Sequence, residues 1–336
     1  MKPPHIGVLD AGARNSIADV TGVSVGHYTL ADGAIQTGVT VVRAHDGDAY
    51  RNKTPAAACV INGFGKSVGL VQIDELGVIE TPVALTNTFA AGTVANAQIR
   101  AALEGNPRIG RDWPSVNPLV LECNDGFLND MQAFAVEEAQ YRHALASCSP
   151  DFARGAVGAG RGMSCFDLKG GIGTASRVVD IGDERYTTGA LVLANFGRLP
   201  QLTIAGDAIG RTLQAQAPQR EQGSIIMLIA TDAPLDARQL RRLAMRAAAG
   251  LARTGSVFGH GSGDIALAFS TAYTVPHDAE FIDLPRLLPD ARLDSLFQCV
   301  ADATEQAILD ALFSAESVTG RDGHRRASLN EVWKSQ

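Results

Sequence analysis

Residues 211–223 read RTLQAQAPQREQG, and residues 224–231 read SIIMLIAT. The first run is polar, with glutamines, a proline and charges, which is the composition of an exposed connecting loop. The second is apolar and rich in β-branched residues over the length of one strand, so it predicts a buried strand that starts at Ser224. A turn over 232–234 follows. In DARQLRRLAMRAAAGLAR (236–253), Leu240, Leu243, Ala244, Ala247, Ala248 and Leu251 share one face of a helix, and Asp236 is its natural cap. The glycine-rich loop TGSVFGHGSG (254–263) leads into DIALAFSTAY (264–273), an alternating strand with Ile265, Leu267 and Phe269 on one side. A second amphipathic helix is expected over 290–315 through Leu293, Leu296, Phe297, Val300, Ile308 and Leu312. Strand, helix, strand, helix in that order predicts an α/β (α+β) fold of sheets sandwiched by helices.

Further out, VTGVSVGHYTL (20–30) and ADGAIQTGVTVVRA (31–44) read as strands and turns, PAAACVINGF (55–64) as a buried strand and TTGALVLANF (187–196) as a clean apolar strand. Helices are expected from about Gly92 to Ala102 and over 128–146, the latter with Asn129 or Asp130 near its start. The densest glycine run, GAVGAGRGMSCFDLKGGIGTA (155–175), has neither G-x-G-x-x-G opening a helix nor GxxxxGK[ST]. It reads as backbone passing close to a cleft rather than as a nucleotide site.

Composition narrows the function classes. The 336 residues carry a formal charge of -7, with 46% hydrophobic and 19% charged residues, as in a globular enzyme. An acidic chain with no basic stripe is not built for nucleic acid. No apolar run reaches the roughly 20 residues of a membrane helix, and no secretory h-region opens the chain, so a cytoplasmic protein is expected. Five scattered cysteines without a CxxC pair read as free thiols. The seven histidines include no HExxH, so neither a metal nor another cofactor is expected.

Two serines compete as nucleophile. Ser24 lies in Gly22-Val23-Ser24-Val25-Gly26, a literal G-x-S-x-G, but the turn-rich HYTLADGAIQ after it is no helix, which the nucleophile elbow requires. Ser224 follows Gly223 at the end of a polar loop and heads a rigid strand. A second cluster, Ser262-Gly263-Asp264, lies at the mouth of the next strand. Attack of the Ser224 hydroxyl on the Gly223 carbonyl would give an ester that water hydrolyses, and glycine tolerates the strained backbone this needs. The new α-amine of Ser224, with a reference pKa of about 7.7–8.0, could then accept a proton at neutral pH.

At these residues the chain resembles the DmpA-type aminopeptidases, which comprise L-aminopeptidase/D-esterase-amidases and β-peptidyl aminopeptidases. The likeness spans NSIADVTGVSVGH (15–27), INGFGKSVGLVQIDELGVIETPVALTNT (61–88), GAVGAGRGMSCFDLKGGIGTASR (155–177), LVLANFGR (191–198), GSIIMLIATDAPL (223–235) and SGDIALAFSTA (262–272). It implies a four-layer αββα sandwich of the DmpA/ornithine-acetyltransferase-like type. The whole of residues 1–336 would form one catalytic domain, self-cut into an α chain (1–223) and a β chain (224–336). Ser224 would be the N-terminal nucleophile, Asn195 the oxyanion donor and Glu122 the anchor for the substrate's free amine. Ser262 and Asp264 would assist the nucleophile, with Asp264 standing where several members carry Glu. The implied partners are small peptide, amide or ester substrates, including D- or β-amino acid ones, and the implied assembly is a homotetramer of αβ units. Two alternatives stand beside this: an acyltransferase of the ornithine-acetyltransferase-like type, whose nucleophile is a threonine, and a non-catalytic metabolite-binding protein.

Overall fold

Residues 2–213 and 223–334 are described by a computed structural model. The predicted loop 211–223 therefore falls largely outside the described residues. In chain order, Ser24–Asp32 (β1) and Ile35–Arg43 (β2) form an antiparallel hairpin, followed by Asn52–Gly63 (β3) and the short helix Leu70–Leu76 (α1). Next come Val78–Ile79 (β4), Val83–Asn87 (β5), Ala91–Gly105 (α2), Val120–Cys123 (β6) and Glu138–Ala146 (α3). A two-residue-per-strand pair, Ser164–Cys165 (β7) and Leu168–Lys169 (β8), precedes the long antiparallel strands Gly171–Ile181 (β9) and Glu184–Asn195 (β10). The last third holds Ser224–Thr231 (β11), Ala237–Arg253 (α4), Gly263–Ser270 (β12), Val275–Pro276 (β13) and Asp294–Ser314 (α5). The pair Val318–Thr319 (β14) and Arg325–Arg326 (β15) and the helix Leu329–Lys334 (α6) close it.

These strands make a four-stranded sheet, β1-β2-β5-β6, and a seven-stranded sheet in which β13-β3-β12-β11-β10-β9 run side by side and β4 pairs with β3. The two sheets face one another. Val42, Leu85 and Leu121 from the first meet Leu193, Ile226, Leu228 and Leu267 from the second in one apolar layer. Outside the small sheet, Val94 and Ala97 of α2 and Tyr141 and Ala144 of α3 cover Val39, Val41, Ala84 and Val120. Outside the large sheet, Leu240, Leu243 and Leu251 of α4 and Val300, Ile308 and Leu312 of α5 cover Ile225, Met227, Ile229 and Ala268. The order is helix, sheet, sheet, helix, which bears out the αββα expectation. It also explains the unbroken apolar run of β11. Its odd-numbered residues from 225 to 229 face the helices and its even-numbered ones the other sheet, so both faces are buried.

Three local expectations need correction. The helix expected over 128–146 is helical as α3 only from Glu138. Asp130 does cap a helix, through its side chain and the Gln132 N–H, but that helix is the three-residue 3₁₀ turn Met131–Ala133, ended by Phe134 in the left-handed region at φ 47°. The helix from Gly92 is longer than expected, ending at Gly105. The 290–315 helix is not one-sided. Asp302, Glu305, Gln306 and Asp310 of α5 are buried as well, because the segment around Ile6 and the Arg154 and Arg253 side chains cover its polar face. The glycine run does bring backbone into close contact, but at Gly173 against a helix and not a cleft. At Gly173 a Cβ would lie 2.0 Å from the Ala307 carbonyl oxygen, so only glycine lets β9 lie that close to α5.

Among the described residues no helix is long and apolar enough to cross a membrane. All five cysteines are free, and among the described residues no group of three or more His, Cys, Asp or Glu could hold a metal ion.

Candidate active site

The topology converges on Ser224. β10 and β11 are antiparallel with Asn195 directly opposite Ser224, so the last residue of one strand faces the first of the other. β11 and β12 are parallel with Ile225 opposite Asp264, so both strands start at the same edge of the sheet. Three segments far apart in sequence thereby meet: the end of β10, the head of β11 and the head of β12. The Ser24 alternative falls away, since Ser24 is itself the first residue of β1 and no helix follows it.

Around Ser224 the polar groups are ordered by specific bonds. The Ser224 hydroxyl is buried and its Oγ accepts the Gly263 N–H at 3.1 Å. Beside it the buried Ser262 hydroxyl donates to Asp264 Oδ1 at 2.5 Å. The Asn62 side-chain amide donates to the Gly259 and Ser262 carbonyls, at 2.7 and 2.6 Å, and so fixes the loop that carries this pair. The Asn195 amide accepts the Ser164 N–H on Oδ1 at 2.8 Å and donates from Nδ2 to the Asn124 carbonyl at 2.9 Å. One neighbour requires an acceptor and the other a donor, so the orientation of that amide is determined. Among the described residues the second Nδ2 hydrogen has no acceptor of its own.

Ser164 is held in turn by Lys169, an anchor that the sequence reading did not single out. Its buried ammonium donates to the Gly160, Met163 and Gly170 carbonyls, each at 2.8 Å. Burial pushes this ammonium well below the usual lysine range. The three carbonyls tie the loop on either side of Ser164 into one piece.

Glu122 comes from the other sheet, where β6 runs parallel to β5. It is buried; Oε1 accepts the Lys66 backbone N–H at 2.8 Å and Oε2 accepts the Thr88 hydroxyl. Among the described residues no lysine or arginine side chain pairs with it, so the carboxylate is desolvated with dipoles alone to hold it. The next residue, Cys123, is no rival nucleophile. Its sulfur donates to the Leu193 carbonyl, and burial, followed by the Glu122 carboxylate, pushes the thiol well above its usual range.

Ser224 and Glu122 line the same open cleft of about 820 Å³, together with Phe64, Thr88, Asn124, Arg198 and His260. A second cavity, of about 480 Å³ and lined by Arg43, Tyr50, Gln98 and Tyr141 among others, contains none of the expected site residues. The structure thus brings together all six residues expected on sequence grounds: Glu122, Asn195, Gly223, Ser224, Ser262 and Asp264. The sequence reading did not find Thr88, the Lys66 N–H, Asn62, Ser164 and Asn124. Most of these act through backbone groups or capping geometry, which leave no mark on residue type.

Residues 15–326 match the model of peptidase family S58. The β-peptidyl aminopeptidase BapA of Sphingosinicella microcystinivorans is 37% identical over 342 residues, covering 93% of this chain and 85% of that protein. Among solved structures, the PH0078 protein of Pyrococcus horikoshii OT3 is 48% identical with a TM-score of 0.94, over 98% of this chain and 96% of that one. The L-aminopeptidase D-Ala-esterase/amidase of Ochrobactrum anthropi is 36% identical with a TM-score of 0.92, over 99% and 95% of the two chains. It is described as a prototype for the serine aminopeptidases and a new variant of the Ntn hydrolase fold.

Proposed function

The chain belongs to peptidase family S58, and from that membership we propose that it cuts itself between Gly223 and Ser224 and then removes N-terminal residues from short peptides, amides or esters. It is a hydrolase, a serine aminopeptidase of the N-terminal-nucleophile type. The observation that carries the finer reading is that Ser224, its Oγ held by the Gly263 N–H, lines one cleft with a buried carboxylate that has no cationic partner among the described residues. A ligand with a free ammonium supplies the missing charge, and the amide next to that ammonium is then the bond presented to Ser224.

In the proposed maturation the Ser224 hydroxyl attacks the Gly223 carbonyl, the peptide becomes an ester, and water releases the Gly223 carboxylate and the Ser224 amine. In turnover the hydroxyl attacks the substrate carbonyl while the amine takes its proton. The oxyanion is stabilised by the Asn195 amide. The amine returns the proton to the departing nitrogen, and water hydrolyses the acyl-enzyme. Ser262, bonded to Asp264, relays or steadies that proton. The mature enzyme is one catalytic domain made of a 223-residue chain and a chain of the remaining 113 of the 336 residues. The proposal includes a cytoplasmic location, consistent with five free thiols. It also includes a homotetramer of αβ units, which light scattering checks.

Glu122→Gln tests the ammonium anchor. The amide keeps the shape and loses the charge. A charge-assisted hydrogen bond contributes about 1.5–3 kcal/mol, so kcat/KM for an amino-acid p-nitroanilide should fall about 10- to 150-fold, and an N-acetylated anilide should not be turned over by either protein. Equal turnover of acetylated and free substrates would remove Glu122 from this role. A second substitution tests the cut. At Gly223 a Cβ would lie 1.9 Å from the Asn195 carbonyl oxygen and 2.7 Å from Phe196 Cα. Gly223→Val therefore must open the β10–β11 pairing beside the scissile bond, and self-cleavage followed on denaturing gels should slow at least tenfold.

A further inference from the structure

The catalytic reading leaves the charge at the outer part of the cleft without a use. Among the described residues lining it, Glu122 is the one carboxylate, and Lys66 and Arg198 are two cations. The Lys66 ammonium lies over the Phe64 ring, 4.3 Å from its centroid. The Arg198 side chain is exposed, and no carboxylate pairs with it among the described residues. Its backbone is firmly placed nonetheless. The Arg198 N–H donates to Gln201 Oε1, and Arg198 caps the 3₁₀ turn Leu199–Gln201.

Its position relative to Ser224 follows from the strand register. Asn195 is opposite Ser224 in an antiparallel pair, so Phe196 runs beside Gly223. The tight approach of Gly223 to Asn195 and Phe196 marks that path, and Gly197, at φ 81°, bends it before Arg198. Glu122 comes to the same cleft from the opposite sheet. The nucleophile thus shares one cleft with a buried anion from the opposite sheet and a guanidinium that no carboxylate pairs with among the described residues.

We propose that Arg198 binds the free C-terminal carboxylate of the leaving group, so that the preferred substrates are unblocked dipeptides, zwitterions whose ammonium meets Glu122 and whose carboxylate meets Arg198. This rests on the aminopeptidase reading above for the ammonium end. A guanidinium suits the far end because it forms paired hydrogen bonds to a carboxylate and stays charged at any working pH. Lys66 adds to the positive field at the rim. An amidated or anilide leaving group meets neither interaction.

The test compares a dipeptide with the same dipeptide amidated at its C-terminus. The wild type should favour the free acid in kcat/KM by about fivefold, the size an exposed pair supports. Arg198→Ala should bring the ratio close to one, and Arg198→Glu should invert it; Arg198→Lys should recover part of it. A wild-type ratio of one, or a ratio unchanged in Arg198→Glu, overturns the proposal. Calorimetric binding of a ketomethylene dipeptide, in which CH₂ replaces the scissile N–H, should give the same ratios without turnover. Loss of the preference in that binding measurement sinks the Arg198 assignment. Preference in binding without hydrolysis of the parent peptides sinks the aminopeptidase reading instead.

Discussion

Ser224→Ala should remain a single chain of 336 residues and lose aminopeptidase activity by at least about 10⁴-fold. Both effects follow from one atom. Ser224 Oγ is the group at the junction of three strand ends, and the Gly263 N–H fixes it there. Alanine fits the same backbone and the same buried site, so the fold should survive, and the loss is chemical. The other hydroxyl nearby cannot substitute, because Ser262 is bonded to Asp264 and lies one residue before the start of β12. A denaturing gel, intact mass and N-terminal sequencing read the outcome. Two fragments from Ser224→Ala, or an uncut wild type with full activity, would end the self-processing mechanism.

The second large effect is at Asn195. Removing one donor from an oxyanion site typically costs about 10²–10³ in kcat, or about 2.7–4 kcal/mol, and Asn195→Ala should fall in that range with KM little changed. Self-cleavage should slow as well, since the same carbonyl geometry is used. Asn195→Asp is the sharper variant. It would still accept the Ser164 N–H, but would set an oxygen against the Asn124 carbonyl that Nδ2 now serves. A kcat within about threefold of wild type in both variants, with Tm unchanged, would remove Asn195 from the oxyanion role.

Much of this was legible in the residues. The abrupt change at Ser224 marks a buried strand because β11 is covered on both faces, and such a strand has no polar alternation to obscure it. Asp236 and the apolar face after it locate α4 to the residue, since its capping box is encoded locally by Asp236 and Gln239. The failures share a physical cause. The acids of α5 read as a wet face, yet Arg253 bonds Asp302 at 2.6 Å and the Ile6 N–H bonds Gln306 at 2.9 Å, partners that only the tertiary fold supplies. The turn at Phe134 needs a left-handed aromatic residue that no propensity anticipates. The site itself divides in the same way. The resemblance pointed to Ser224, Asn195 and Glu122, whereas their mutual placement comes from the strand register, and the bonds that hold them come largely from main-chain groups.

The place of β11 and β12 in the large sheet bears on what a cut at Ser224 does to the molecule. Both strands lie in its middle, with β3 on one side and β10 on the other. The smaller fragment would thus supply the centre of a sheet and its short edge strand β13, while β3, β9 and β10 belong to the larger. Neither piece could leave without breaking three ladders of main-chain hydrogen bonds and exposing both apolar layers. The severed protein should melt in one cooperative step, as an uncut one would. Its reassembly after denaturation, however, becomes an encounter between two molecules, dependent on concentration. Cleavage would leave the native state in place while making the way back to it far harder, so that at low concentration unfolding of the cut protein becomes effectively irreversible.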